Sequence, residues 1–170
     1  VKLQDILNEK GAAIEALKQK VVLLEAENTD AVADTLRGIE GAAGRHYFDS
    51  LSKCAPGEFA FTGRSFRPAR DPFNAALNYA YGILYSRVER ALMLAGLDPY
   101  VGFMHRDDYN MKSLVFDFIE PYRIHAERFV FRQFSSKKMN KGYFDELAAG
   151  VSLNQEGKAF FVSEPTLGRL

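Results

Sequence analysis

Apolar residues recur every three or four positions over most of the chain, which is the spacing of a helix with one buried face. At the start of the chain they alternate with Lys and Glu, and this predicts one amphipathic helix, or a helix pair that breaks at Gly11. A second helix is expected from Ala31 to about Lys53, because an N-cap cluster at residues 28–30 precedes it and Pro56 follows it.

The clearest helix boundary lies at Asp71-Pro72, since Asp caps a helix and Pro at the first helical position loses no hydrogen bond. We expect this helix to continue to Gly96 and a loop to occupy residues 97–110. Another helix is predicted over residues 112–134, and Pro121 should bend it.

The remaining segments have weaker patterns. Residues 58–62 alternate and predict a short strand or an extended loop, and the tail is expected to add one or two short helices. The predicted class is mainly α, with residues 1–170 forming a single helical domain. Because the chain begins without Met, we interpret it as a fragment of a longer protein.

Composition narrows the function classes. The 22 basic and 22 acidic residues balance, which excludes a protein that binds polyanions through bulk charge but allows a local basic patch. The single cysteine, Cys54, excludes a disulfide framework and fits a reducing cytoplasm. The sequence has no apolar run long enough to predict a membrane span.

The first candidate for chemistry is Glu40, which lies between glycines. Gly38, Gly41 and Gly44 share one helix face at three-residue spacing, and another backbone can approach such a face closely. The pattern fits a tight helix crossing, and it becomes functional only if another acidic or imidazole group meets Glu40.

The second candidate segment carries His105, then Asp117 and Glu120 on one face of a predicted helix. Two carboxylates about 4 Å apart repel by roughly 4 kcal/mol at a protein-like dielectric, so they need a cation, a shared proton or solvent. Since Arg123 follows one turn later, a metal site and a structural network of acids with this arginine both remain open. Imidazole with carboxylates suits Mn²⁺, and Mg²⁺ less readily; Zn²⁺ is compatible, but no closed zinc site is indicated.

The third candidate is the Arg-rich segment over residues 63–70, which also contains Phe66 and Pro68. Its arginines can hold phosphates and stack on a base, although Arg-rich surface loops without a ligand are also common. The basic cluster over residues 137–141 is interpreted as a solvated linker.

These segments together resemble the CRISPR adaptation integrases of the Cas-one family. The resemblance covers about residues 36–125 and rests on the combination of Leu36-Arg37-Gly38-Ile39-Glu40-Gly41, Arg45-x-Tyr47-Phe48, Arg64-x-x-Arg67-Pro68-x-x-Asp71-Pro72-x-Asn74-Ala75, Gly96-Leu97-Asp98-Pro99-Tyr100-x-Gly102-Phe103-x-His105 and Ser113-Leu114-x-x-Asp117-x-x-Glu120-Pro121-x-Arg123.

The resemblance implies a helical catalytic domain, which in the family follows an N-terminal β-domain that this chain lacks. It implies Mn²⁺ or Mg²⁺ held by Glu40, His105 and Glu120, with Asp117 as a further catalytic acid. The residues that it places against nucleic acid are Arg64, Arg67, Asn74 and Arg123.

The implied activity is that of a DNA endonuclease and integrase, which inserts protospacer DNA into the CRISPR repeat by transesterification. The implied partners are that DNA, the Cas-two adaptation protein and, in the full-length protein, a second copy of the chain. The alternative from another class is a non-catalytic nucleic-acid-binding or assembly module with the same fold.

Overall fold

The chain divides into two units, each built mainly from helices. The computed structural model describes residues 3–25, 32–105 and 109–164. Contacts between Cα atoms group residues 1–55 with 60–64, and residues 56–59 with 65–170. That residues 1–170 form a single domain stays a prediction, and the predicted cap cluster at 28–30 lies outside the described residues.

The first unit is a pair of packed helices, α1 (Leu3–Val22) and α2 (Ala33–Cys54). α1 runs unbroken through Gly11, which confirms the single-helix alternative. Lys10 Nζ lies 3.2 Å from the Asp49 carboxylate and ties the two helices together. Neither helix contains a fully buried residue.

The glycines of α2 do not form the close crossing that their spacing suggested. Within the described part of the first unit, a Cβ placed on Gly38 or Gly44 meets no atom within 4 Å. At Gly41 the nearest such atom is Nη1 of Arg45, at 3.8 Å, which belongs to the next turn of the same helix. These positions therefore carry no packing constraint inside this unit.

The second unit is organised around α3 (Pro72–Leu94), which packs against α4 (Ser113–Ile119), α5 (Arg123–Ser135) and the second strand of a hairpin. The predicted boundary is confirmed, because the Asp71 carboxylate accepts the backbone N–H of Asn74 at 2.8 Å and Pro72 is the first helical residue. Such a cap stabilises a helix by about 1 kcal/mol.

Pro121 interrupts the predicted 112–134 helix. A 3₁₀ turn over Glu120–Tyr122 separates α4 from α5, so the expected bend is present as a local break in the α-helical hydrogen bonding. The break matters for the site because it places Glu120 at a junction rather than inside a regular helix.

The tail contains a hairpin that the sequence did not predict. β1 (Phe144–Leu147) pairs antiparallel with β2 (Gly150–Leu153), and α6 (Gln155–Ser163) follows as one of the expected short helices. The strand considered at residues 58–62 is wrong, since a 3₁₀ turn over Gly57–Phe59 leads into irregular backbone.

Aromatic side chains form the core of the second unit. The Phe134 ring lies 4.8 Å from Phe59 and 5.3 Å from Phe73 between centroids, and all three residues are buried. Phe161 of α6 packs edge-on against Phe129 at 5.3 Å. The fold is mainly α, as predicted, and none of the described helices has the length and apolar character needed to cross a bilayer.

Candidate active site

The loop after α3 folds back over the start of α4. The N–H of Leu114 donates to the carbonyl of Pro99 at 3.0 Å, which fixes the loop to the first turn of that helix. Gly102 allows the contact, because a Cβ there would lie 2.6 Å from the Ser113 Cβ and 3.0 Å from Asp117 Oδ2. Sequence reasoning passed over Gly102 as a site residue, although it stands three positions before His105.

Asp117 is the anchor of this loop. Its Oδ2 accepts the backbone N–H groups of Phe103 at 2.6 Å and Met104 at 3.0 Å. Its Oδ1 accepts the N–H of His105 at 3.1 Å and lies 2.6 Å from Nδ1 of the same imidazole. One carboxylate therefore fixes three consecutive residues of the loop and the ring that ends it.

The Asp117 side chain has no solvent exposure, and its ionisation is decided by two opposing effects. Burial raises its pKa, but the hydrogen bonds from the His105 ring and from the N–H groups of Met104, Phe103 and His105 outweigh burial. The pKa of Asp117 lies below its ordinary value, so the carboxylate is charged at neutral pH.

This charge fixes the tautomer of His105. A carboxylate only accepts hydrogen bonds, so Nδ1 of the imidazole must carry the hydrogen that it receives. The lone pair of the neutral ring is then on Nε2. The ring is partly exposed and lies 5.7 Å from the Phe116 ring between centroids. A histidine held in this way by a carboxylate is typical of histidines that bind metal ions.

Glu120 belongs to a separate group of polar contacts. Its Oε1 lies 2.8 Å from Nη2 of Arg123, whose guanidinium carbon stands 5.4 Å from the centroid of the Tyr81 ring. The Tyr81 hydroxyl donates to the buried Glu127 at 2.5 Å. Thus the network of acids with Arg123 is present for Glu120, whereas Asp117 is engaged with the loop instead.

Two of the residues predicted to contact nucleic acid, Asn74 and Arg123, make contacts within the protein itself. Asn74 is fully buried: its Oδ1 accepts the N–H of Ser65 at 3.0 Å, and its Nδ2 donates to Asp71 at 2.8 Å. Its described contacts fix the Arg-rich loop to α3, and its side chain does not face solvent. Arg123 is half-buried, and within the described residues its Nε is buried without a hydrogen-bond partner.

The Arg-rich loop itself is exposed at Arg67, whose guanidinium carbon lies 4.8 Å from the centroid of Phe66. Arg64 belongs to the first unit and Arg67 to the second. The sequence grouped these two arginines, and their joint contact with nucleic acid stays a prediction.

The predicted metal ligands also come from both units. Glu40 lies exposed on α2 of the first unit, whereas His105 and Glu120 belong to the second. Among residues 3–25, 32–105 and 109–164, no group of three or more His, Cys, Asp or Glu side chains is gathered closely enough to hold a metal ion. In donor chemistry the residues fit Mn²⁺, since they offer one oriented imidazole and two carboxylates.

Comparison with known proteins identifies the family of this chain. The family model described as CRISPR associated protein Cas1 matches residues 2–165. A CRISPR-associated endonuclease Cas1 of Thermodesulfovibrio yellowstonii is 39% identical over 151 residues, which are 88% of this chain and 47% of that protein. One from Thermus thermophilus is 40% identical over 138 residues, covering 81% of this chain and 41% of that protein.

Solved structures with a similar fold are consistent with this family. A chain of a partial Cas6-RT-Cas1–Cas2 complex aligns with a TM-score of 0.86 at 26% identity, over 98% of this chain and 49% of that one. A casposase bound to integration product aligns with a TM-score of 0.74 at 25% identity, over 98% and 50%. The chain spans about half the length of the curated relatives it matches, and over this length it belongs to the Cas1 family.

Proposed function

We propose that this chain is the catalytic helical part of a divalent-metal-dependent DNA endonuclease and integrase that acts in CRISPR adaptation. The observation that carries the proposal is the buried Asp117 carboxylate, which holds the His105 imidazole so that the lone pair of Nε2 remains to coordinate a metal ion. A carboxylate that accepts a hydrogen bond from one ring nitrogen orients the histidine, so that the other nitrogen meets a ligand in a fixed direction.

His105 and Glu120 are the residues of the second unit that would hold Mn²⁺ or Mg²⁺, and Glu40 of the first unit would complete the set. A divalent cation held there would supply positive charge to favour attack by a hydroxyl or water on a DNA phosphate and to offset the charge that develops on phosphorus. Asp117 acts as a positioning residue, because its oxygens are occupied by the loop.

The proposed substrates are protospacer DNA and the CRISPR repeat, and the reaction is transesterification from a 3′-hydroxyl. The proposed protein partners are Cas2 and a second copy of the chain in the full-length protein. Support comes from the relatives named as Cas1 endonucleases, from the partial Cas6-RT-Cas1–Cas2 complex and from the casposase bound to integration product that this chain resembles.

The test is nicking and strand transfer by the full-length protein in Mn²⁺. We expect His105→Ala and Glu120→Gln to lower the rate by at least roughly 100-fold, which is the upper end of the cost of losing an orienting partner. Matched controls are His125→Ala and Glu156→Gln, which change exposed residues of the same types. Equal rates in His105→Ala and His125→Ala would remove His105 from the catalytic set. Absence of nicking in the wild-type protein would instead favour a non-catalytic binding module.

A further inference from the structure

The ion pair between Glu120 and Arg123 does not by itself hold Glu120 in one orientation. The two side chains are 33% and 36% exposed, and they lie only three residues apart along the chain. Solvent screens a pair of this exposure, and keeping two long side chains in one geometry costs conformational entropy. A carboxylate that has to meet a metal ion in a fixed direction therefore needs a further support.

Tyr81 supplies such a support from the neighbouring helix. The guanidinium of Arg123 lies over the Tyr81 ring, with 5.4 Å between its central carbon and the ring centroid. A cation over the face of an aromatic ring is attracted by the negative charge of that face. The contact joins the middle of α3 to the first residue of α5, so the guanidinium meets the Glu120 carboxylate at one end and a ring of another helix beneath it.

The Tyr81 ring is fixed in turn by Glu127. Its hydroxyl donates to Oε1 of Glu127 at 2.5 Å, and Glu127 is 8% exposed on α5, one turn after Arg123. A buried polar group needs a hydrogen-bond partner, and a hydroxyl that donates to a carboxylate makes one of the shorter and stronger hydrogen bonds in proteins. The ring cannot leave its place without breaking this bond.

Helix packing alone does not account for a carboxylate at position 127. α3 and α5 pack against each other and both bury apolar side chains, among them Leu77 and Val130. Apolar residues of similar volume in place of a buried charged group are often neutral or stabilising. The bond from Tyr81 to Glu127 lies close in sequence to the 3₁₀ turn that begins at Glu120, where regular α-helical hydrogen bonding is interrupted.

We propose that Tyr81 and Glu127 are positioning residues for Glu120. They act through Arg123: the buried carboxylate fixes the ring, the ring supports the guanidinium, and the guanidinium orients the carboxylate that would hold the metal ion. Asp117 has the corresponding role for the imidazole of the loop. The proposal rests on the proposed function for the role of Glu120, and it adds two residues outside the proposed ligand set.

The test is the dissociation constant of Mn²⁺ for the full-length protein, measured from the electron paramagnetic resonance signal of the free ion. Tyr81→Phe removes the hydroxyl and keeps the ring. We expect it to weaken Mn²⁺ binding by about tenfold, the lower end of the cost of losing an orienting partner. The matched control is Tyr143→Phe, which removes a hydroxyl from a ring that stacks on Phe160 and should leave the dissociation constant unchanged.

A double variant separates positioning from stability. Tyr81→Phe leaves the buried Glu127 carboxylate without the hydroxyl, so it should also lower the urea midpoint of unfolding. Adding Glu127→Met removes the charge that would be left buried, so the midpoint should return toward that of the wild type. Mn²⁺ binding should remain about tenfold weaker. Recovery of both the midpoint and Mn²⁺ binding would overturn the proposal, because Tyr81 would then contribute to stability alone.

His105→Ala, measured in the same way, distinguishes this proposal from the proposed function. If His105→Ala loses Mn²⁺ while Tyr81→Phe binds it as tightly as the wild type, the positioning role is refuted and the proposed function stands. A wild-type protein that binds no Mn²⁺ refutes both.

Discussion

A single carboxylate organises the candidate site at the scale of the residue. Asp117 receives three backbone N–H groups and one imidazole nitrogen, so its two oxygens replace the water that burial removed. Charge-assisted hydrogen bonds of this kind are the strongest that the loop can make. The orientation of His105 thus depends on the charge of a residue that solvent does not reach.

This dependence predicts how the free energy of unfolding changes with pH. The pKa of Asp117 is lowered in the folded chain, so its contribution to stability is complete above the unfolded value of about 3.9 and is lost as the pH falls toward the folded value. Asp117→Asn should lower the free energy of unfolding by about 1–3 kcal/mol at neutral pH, because the NH₂ group of the amide is a donor and would face the N–H donors of the loop. Below about pH 4 its stability should change less with pH than that of the wild type.

Urea unfolding at a series of pH values measures both effects. Asp145→Asn is the control, since it changes an exposed aspartate on β1. If the Asp117→Asn and wild-type curves run parallel below about pH 4, the lowered pKa does not stabilise the loop.

At the scale of the element, the same substitution should have opposite effects in a helix and in the loop. Gly11→Ala lies inside α1, where a Cβ meets no described atom within 4 Å, so it should stabilise the chain by about 1 kcal/mol. Gly102→Ala should destabilise it by about 1–3 kcal/mol, because the new Cβ overlaps Ser113. Thermal unfolding measures both, and a stabilising Gly102→Ala would contradict the close contact of loop and helix.

The elements differ in how far the sequence could predict them. Asp71-Pro72 carries its own capping chemistry, and Pro121 its own break, so local rules located both. The hairpin was missed because β1 presents Asp145 and Glu146 to solvent and its strands are only four residues long. Its position depends on the bond from Val151 to Ala69, which no local pattern contains.

The residues of the candidate site were proposed from the sequence, and their contacts come from the structure. Asp117 and Glu120 were singled out from their three-residue spacing and His105 from the loop before them, and a metal site and a network of the acids with Arg123 both remained open. The structure separates them, because Asp117 turns to the loop and Glu120 to Arg123. Which backbone N–H groups meet a carboxylate depends on how a distant loop folds, and spacing along one helix does not show that.

For the whole molecule, burial differs between the two units. Neither α1 nor α2 has a buried residue, whereas α3 has eight and α5 six. Local opening should therefore cost less free energy in the first unit. In native-state hydrogen exchange, amides of α1 and α2 should exchange on the order of tenfold faster or more than those of α3 and α5.

The exchange rates of an unstructured peptide of the same sequence provide the reference for unprotected amides. If α1 and α2 are protected as strongly as α3, then burial within the chain does not set the order of opening. Glu40 lies on α2, so this experiment also reports how firmly the proposed third ligand is held by its own unit.

The bond between Val151 and Ala69 also has a consequence for how the protein is made. The Arg-rich loop leaves the ribosome some 80 residues before β2 does, and translation at about 5–20 residues per second separates the two by about 4–16 seconds. During that interval Ala69 lacks its partner strand. The part of this loop formed by residues 66–69 is therefore completed only after β2 has been synthesised, later than the helices α1 to α5.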